Sequence, residues 1–352
     1  MRFDVYSQSG FFLTFIIVFG LVNYQPLAII FKFFGWSNAL AWSLAITLMY
    51  LFFHMLGSKY KHKAAAVLYS IATTWLGSIF LAWSITVVLG VISIFVTIPL
   101  VVSASIIGYG AIALSLLAFY FGHSLIVTQH TLHIEGLTKR IRMVQMADLH
   151  LHGLEARNEL SRIVYKVSQL KPDIIVICGD LLDVPGLVDN TILEQFNQFD
   201  VPILMVSGNH DRYLGMDKVD RALANTRIKL LRNESFTWEG LTFVGIDDSE
   251  DGKILQKKLP RVKGQNPHVL LFHKPIHPKF VSDNGYAMML SGHTHNGQIF
   301  PFTLFVRLAY KYIRGLHRVG KMWLYINQGT GTWAVPMRLG SRDEIALFNL
   351  IE

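Results

Sequence analysis

Along the chain, apolar residues fall into two regimes. Up to about residue 122 they form long runs with few polar interruptions, and beyond about residue 130 they come in short bursts between polar turns. From Ala64 to Ile134 there is no Asp, Glu, Lys or Arg, a stretch of 71 residues. Such a stretch cannot supply the surface of a water-soluble fold, whereas runs of about 20 apolar residues suit a bilayer core. Four spans are predicted, roughly Phe11–Phe31, Ala39–Leu56, Val67–Val96 and Leu100–Gly122, with Pro99 breaking the last long run. The third reads equally as one tilted helix or as a re-entrant pair. No small-x-small cleavage pattern precedes the later apolar segments, so the first run is read as a retained span and not as a signal peptide.

In the second regime the pattern alternates between strand and helix periods. Strands are predicted at Arg140–Ala147, Asp173–Cys178, Pro202–Ser207, Ser235–Trp238, Leu241–Ile246, His268–His273, Ala287–Ser291, Trp323–Asn327 and Glu344–Ile351. Helices are predicted at Arg157–Leu170, Ile192–Phe199 and Met216–Ala224. The fold class is therefore α/β, with a second half rich in hairpins that suggests two packed sheets flanked by helices. The expected division is residues 1–129 as an all-α transmembrane region of about four helices and residues 130–352 as a catalytic domain.

Composition sharpens this division. Hydrophobic residues make up 52% of the 352, and only six of the 56 charged side chains lie in the first 130. Lys59, Lys61 and Lys63 share one short connection, and excess Lys and Arg mark cytoplasmic loops. With four spans, the amino terminus and everything after Gly122 then face the cytoplasm, and Lys139, Arg140 and Arg142 agree. The expected location is the inner (cell) membrane, multi-pass. The one cysteine, Cys178, lies within a predicted strand and reads as a small core residue.

The stretch Asp173–Asp183, DIIVICGDLLD, delivers Asp180 to the carboxyl end of a buried strand, the edge where α/β sheets bind ligands. Alone, Asp180 is either a helix cap or a metal ligand. Other strands end in Asp148-Leu149-His150, in Gly208-Asn209-His210-Asp211, in His273 and in Gly292-His293-Thr294-His295. Dense Asp and His at successive strand ends point to a metal or catalytic site.

These blocks, DLH, GDLLD, GNHD, a lone His and GHTH in that order, resemble the calcineurin-like metallophosphoesterase superfamily over about Arg140–Glu352. The tail GHTHNGQI, LYINQGTG and the Pro-Met-Arg-Leu and Glu-Ile-Ala-Leu segments resemble its membrane-associated YkuE-like branch, related to the UDP-2,3-diacylglucosamine pyrophosphatases. Asn296 departs from the glycine more common in that branch. The resemblance implies a two-sheet αββα sandwich and a two-metal phosphohydrolase. It implies that Asp148, His150 and His295 hold one ion, that Asn209, His273 and His293 hold the other, and that Asp180 bridges them. His210 resembles the family's non-ligand histidine that contacts phosphate and protonates the leaving oxygen, and Asp183 and Asp211 then support the site. Two divalent ions are implied, with Mn²⁺ favoured over Fe and Zn²⁺ for this mixed donor set.

Two other function classes, a non-catalytic membrane scaffold and a transporter, fit less well. No ligand block is missing, and the spans hold almost no ionisable groups apart from His54, with His123 at an end, whereas transport paths need them. Pro301–Arg318, PFTLFVRLAYKYIRGLHR, directly follows the GHTH block. As one helix it would carry Phe302, Phe305, Ala309, Tyr312, Ile313 and Leu316 on one face and Arg307, Lys311, Arg314 and Arg318 on another. Such a helix suits the membrane interface. It makes the bilayer the expected partner, Arg307 and Lys311 the expected substrate contacts, and a phosphorylated lipid or nucleotide-lipid such as UDP-diacylglucosamine the expected substrate. No nucleic-acid partner is expected.

Overall fold

The computed structural model describes residues 5–60, 62–152, 156–183, 190–249, 251–260 and 266–352. It divides into two compact units, one of Met1–Tyr120 with Ala334–Met337 and one of Phe121–Trp333 with Arg338–Glu352. In the first, α1 (Val5–Phe33), α2 (Ala39–Lys59), α3 (Lys63–Ser93) and α4 (Leu100–Gly122) are each long and apolar enough to cross a membrane. The α3 helix runs unbroken for 31 residues, which removes the re-entrant reading of the third span. Lys61 of the basic connection lies outside the described residues.

The second unit is a sandwich of two six-stranded sheets. One has the order β1-β12-β2-β3-β4-β5, built from β1 (Ile126–His133), β2 (Ile141–Met146), β3 (Ile174–Cys178), β4 (Ile203–Val206), β5 (Ile228–Leu230) and β12 (Glu344–Ile351). The other has the order β10-β11-β9-β8-β7-β6, built from β6 (Glu234–Trp238), β7 (Leu241–Gly245), β8 (His268–Leu271), β9 (Met288–Ser291), β10 (Gly315–Val319) and β11 (Met322–Ile326). In β3 the two-residue side-chain period is visible directly. Ile174, Val176 and Cys178 enter the core between the sheets with Phe243, Tyr325 and Phe348. Ile175 and Ile177 point the other way, onto the apolar stripe Leu160, Ile163, Val164 and Val167 of α5 (Ala156–Leu170). A third apolar cluster covers the outer face of the second sheet, so the layers are α, β, β and α. Cys178 is buried between the sheets, its thiol pushed up to about 12 by burial, and it packs as the sequence indicates.

Two expectations need correction and two gain detail. First, β1 is a strand not predicted from the sequence, and it begins just ahead of the expected boundary at residue 130, because its segment IVTQHTLH continues the charge-free run. It is nonetheless an edge strand paired in parallel with all eight residues of β12. Second, the second sheet has antiparallel hairpins only at its two edges, β6/β7 and β10/β11, while β7, β8, β9 and β11 pair in parallel. Third, the helix predicted at Ile192–Phe199 is present as a 3-10 helix over Asn190–Gln198. Fourth, the Pro301–Arg318 segment is helical only over Phe302–Ala309, after which the chain extends at Tyr310 and enters β10. Tyr312 packs against the third core cluster and Ile313 is buried, so the two predicted helical faces do not form.

Polar groups lock the carboxyl end of the sandwich. Gln145 of β2 donates to the Ser291 carbonyl of β9 (3.3 Å) and accepts from Asn327 (2.8 Å), joining the two sheets. Arg338 is wholly buried. Its Nε donates to Asp343 (2.7 Å), and Nη2 donates to the carbonyls of Gly331 (2.6 Å) and Gly329 (3.3 Å). Breaking one half of a buried pair strands the other charge. Arg338→Ala is therefore expected to destabilise this unit by about 3–5 kcal/mol, read as a lower thermal midpoint in tryptophan fluorescence. Arg338→Met combined with Asp343→Leu is expected to recover part of that loss, because no unpaired buried charge remains and Arg162, the other partner of Asp343, is exposed.

Candidate metal centre

The site assembles where parallel strands of both sheets run out. Asp148 and His150 follow β2, Asp180 follows β3 and Asn209 follows β4, and these strands are neighbours. His273 follows β8, and His293 and His295 follow β9, its parallel neighbour in the other sheet. The loops are tightly wound: Asp148, His150, Asp180, His293 and His295 all have left-handed φ values, between 45° and 72°. For side-chain-bearing residues that conformation is costly and is concentrated at functional sites. Two glycines permit the close approach. A Cβ on Gly208 would collide with Asp180 Oδ1, and one on Gly292 with the Asp148 carboxylate. Asn296, where glycine is more usual, is also left-handed at φ 51°. Asn tolerates this conformation, and its side chain donates to the Gly340 carbonyl (3.0 Å).

Two groups of donors result. In one, Asp148, His150 and His295 bring their donor atoms within 4.8 Å of one another, with His150 Nε2 3.1 Å from His295 Nε2 and Asp148 Oδ1 3.7 Å from that nitrogen. In the other, three donors surround His273 Nε2: Asn209 Oδ1 at 3.1 Å, Asp180 Oδ2 at 3.2 Å and His293 Nδ1 at 3.2 Å. Asp180 Oδ2 also lies 3.8 Å from His150 Nε2, so this carboxylate adjoins both groups. Ligands about 2.1 Å from a common ion stand roughly 3–4 Å apart, and these separations match. His273 Nδ1 donates to the Cys178 carbonyl (2.8 Å), which turns an Nε2 lone pair toward the centre. Clustered imidazoles and carboxylates of this kind suit a dinuclear divalent metal site.

Electrostatics favour a cation here. Burial would lower the His273 pKa, but the Asp180 carboxylate, 3.2 Å away, raises it to about 10, a measure of how strongly these carboxylates attract positive charge at this point. Burial, followed by the positive His273, pushes His293 down to about 3, leaving its ring in the neutral, coordinating form.

Around the donors stand supporting groups. Asp211 accepts from the backbone N–H groups of Asp180 (2.8 Å), Leu182 (3.2 Å) and Gly208 (2.9 Å), tying the Asp180 loop to the Asn209 loop. His210 donates its backbone N–H to Asp180 Oδ1 (2.8 Å), and its Nδ1 lies 2.8 Å from Asp183 Oδ1. Burial would lower the His210 pKa, yet the Asp183 hydrogen bond and the Asp180 charge hold it above the ordinary histidine value. His210 also lies close enough to His150 and Asp180 to form a third donor group, but its Nδ1 is engaged by Asp183.

Two residues not singled out from the sequence also touch the site. Tyr310 Oη lies 2.9 Å from His293 Nε2, on the far side of that ring from the other donors, and Arg338 Nη2 lies 3.3 Å from His295 Nδ1. Neither follows a strand-end block; Arg338 belongs to the Pro-Met-Arg-Leu segment of the family resemblance, but its contact with His295 appears only in the folded chain. Arg307 and Lys311, expected to meet substrate, are both exposed, with the Lys311 ammonium 5.2 Å from the centre of the Tyr312 ring. Among the described contacts, neither reaches the metal-donor groups.

Residues 141–297 match the model of the calcineurin-like phosphoesterase family. An uncharacterized metallophosphoesterase of Aquifex aeolicus is 31% identical over 245 residues, 64% of this chain and 91% of that protein. YkuE of Bacillus subtilis, also an uncharacterized metallophosphoesterase, is 26% identical over 65% of this chain and 86% of its own length. A transmembrane protein with a metallophosphoesterase domain from Danio rerio is 33% identical over 58% of this chain and 52% of its own length. The chain likewise spans under two thirds of the length of metallophosphoesterases it matches in Helicobacter pylori (64%) and Campylobacter jejuni (61%). Matched across nine-tenths of the Aquifex protein, the chain belongs to the calcineurin-like metallophosphoesterases.

Proposed function

We propose that this is a membrane-anchored dinuclear-metal phosphohydrolase that cleaves a phosphoester or pyrophosphate bond of a lipid-linked substrate. The observation that carries the lipid reading is the apolar segment after the GHTH block. Phe300, Phe302, Leu304, Phe305 and Leu308 are all exposed, Leu308 by 85%, and Tyr310 at the end of the same helix reaches the metal-donor residue His293. Contiguous exposed apolar surface of this kind marks a membrane or ligand interaction site. Arg307 and Lys311, exposed on the same segment, would meet headgroup phosphates. A nucleotide-diphospho-lipid such as UDP-diacylglucosamine combines these features and is the leading substrate by family resemblance.

Asp148, His150 and His295 would hold one divalent ion, Asn209, His273 and His293 the other, and Asp180 both. Mn²⁺ suits these donors best, with Fe and Zn²⁺ as alternatives. Such a pair supplies charge stabilisation for the phosphoryl oxygens and an acidified water as nucleophile. His210, its Nδ1 held by Asp183 and its pKa raised, keeps a proton on Nε2 to give to the leaving oxygen. The basic connection around Lys59–Lys63 and the unpaired Cys178 support a cytoplasmic catalytic domain on the inner (cell) membrane.

Purified chain with Mn²⁺ is expected to hydrolyse an aryl phosphoester and to stop in chelator. Asp180→Asn is expected to abolish turnover, and undiminished activity there would overturn the reading. His210→Ala is expected to keep its metal, measured by elemental analysis, while losing about 10²–10⁴-fold in rate. Replacing Phe305 and Leu308 with Ser is expected to lower turnover of a lipid phosphate in mixed micelles while sparing a small soluble phosphoester. Equal losses on both substrates would remove the support for a lipid substrate. A reporter fused after Glu352 is expected to behave as cytoplasmic, and activity only outside the cytoplasm would reverse the orientation.

A further inference from the structure

Two exposed aromatic rings border His210. Tyr213, on the short Asn209–Leu214 helix, is 63% exposed, and its ring centroid lies 5.7 Å from that of His210 at an interplanar angle of 63°. Trp333, 120 residues further along the chain, is 45% exposed and lies 5.9 Å from the same imidazole at 69°. The tryptophan is held in place at its backbone: its N–H donates to Gln298 Oε1 (2.9 Å), and Gln298 Nε2 donates to its carbonyl (2.8 Å). Tyr213 carries the Arg212 guanidinium 5.4 Å from its ring centre. In this unit the other exposed large apolar side chains among the described residues are Tyr165 and the Phe300–Leu308 cluster. Exposed aromatic rings are therefore few here, and two of them adjoin one histidine.

We propose that Tyr213 and Trp333 form a leaving-group subsite that takes a planar unsaturated ring, as in an aryl or nucleobase-bearing alcohol. The inference rests on the reading that His210 protonates the leaving oxygen. Because His210 Nδ1 is committed to Asp183, its proton leaves from Nε2. The leaving group must then lie against the Nε2 side of this imidazole, and two exposed rings border the same histidine. A flat ring gains there from stacked or edge-to-face contact, and an alkyl leaving group gains less. Both rings border the histidine without contributing to the metal-donor groups, so they bear on which substrate is chosen and not on ion binding.

The test is calorimetry on the full chain in detergent, loaded with Mn²⁺ and titrated with methylphosphonate and with benzylphosphonate, neither of which is hydrolysed. Benzylphosphonate is expected to bind about tenfold more tightly. Tyr213→Ala and Trp333→Ala are each expected to lose most of that preference while methylphosphonate affinity stays unchanged. Tyr213→Phe and Trp333→Phe are expected to keep it. Equal affinity for both phosphonates in the unmodified chain, or a parallel loss of both in the alanine variants, overturns the subsite and leaves the phosphoesterase reading standing. Failure of both phosphonates to bind the loaded chain overturns the two together.

Discussion

The structure depends on a buried carboxylate that cannot stand alone. Asp180 is 2% exposed at the end of β3, and burying an isolated carboxylate in a protein interior costs several kcal/mol. The histidines around it offset that cost, although the Asp148 and Asp211 carboxylates add to it. Oδ1 accepts from the His210 amide, Oδ2 lies against His273, and the amide of Asp180 itself donates to Asp211. Burial pushes the Asp180 pKa up, but the His273, His150 and His210 imidazoles pull it down further, so it stays ionised. A second buried carboxylate, Asp148, accepts from the His293 amide across the sandwich (2.9 and 3.0 Å). Two buried carboxylates flanked by imidazole nitrogens form a well for divalent cations.

That requirement explains the rest of the local architecture. The carboxylates can come together only if the strands bearing them end at one edge, which parallel β2, β3 and β4 on one side and β8 and β9 on the other provide. The edge must also stay fixed while holding like charges. The Gln145–Ser291–Asn327 bridge between sheets and the Arg338–Asp343 pair behind His295 supply that stiffness. The left-handed backbone at five donor residues is strain the surrounding core must overcome.

Rigidity around the donors contrasts with apolar exposure on the segment that follows the GHTH block. Phe305 and Leu308 project from a short helix that buries only Thr303. In water that exposure is unfavourable. The proposed contact with lipid would cover this surface.

Much of this was legible in the sequence because it rests on local rules. The charge-free run announced the four long helices, and β-branched bursts such as Ile174–Ile177 announced the strands. Short polar blocks at their ends announced the donors, since a strand directs the residue after it to one edge of its sheet. What escaped required partners distant in sequence. The β1 strand looks like the tail of an apolar span, and only pairing with β12, more than 200 residues later, makes it a strand. The Pro301–Arg318 segment has helical periodicity throughout, yet β11 recruits Gly315–Val319 as a strand, because backbone hydrogen bonding to a neighbour outweighs weak local propensity. Tyr310 against His293, Arg338 against His295 and Trp333 beside His210 carry no spacing signal at all. The sequence by itself determined which residue types would meet at the strand ends. Only the tertiary structure decided their distances, the groups that stand behind them and the rings at the mouth, because those follow from how two sheets pack and not from any period along the chain.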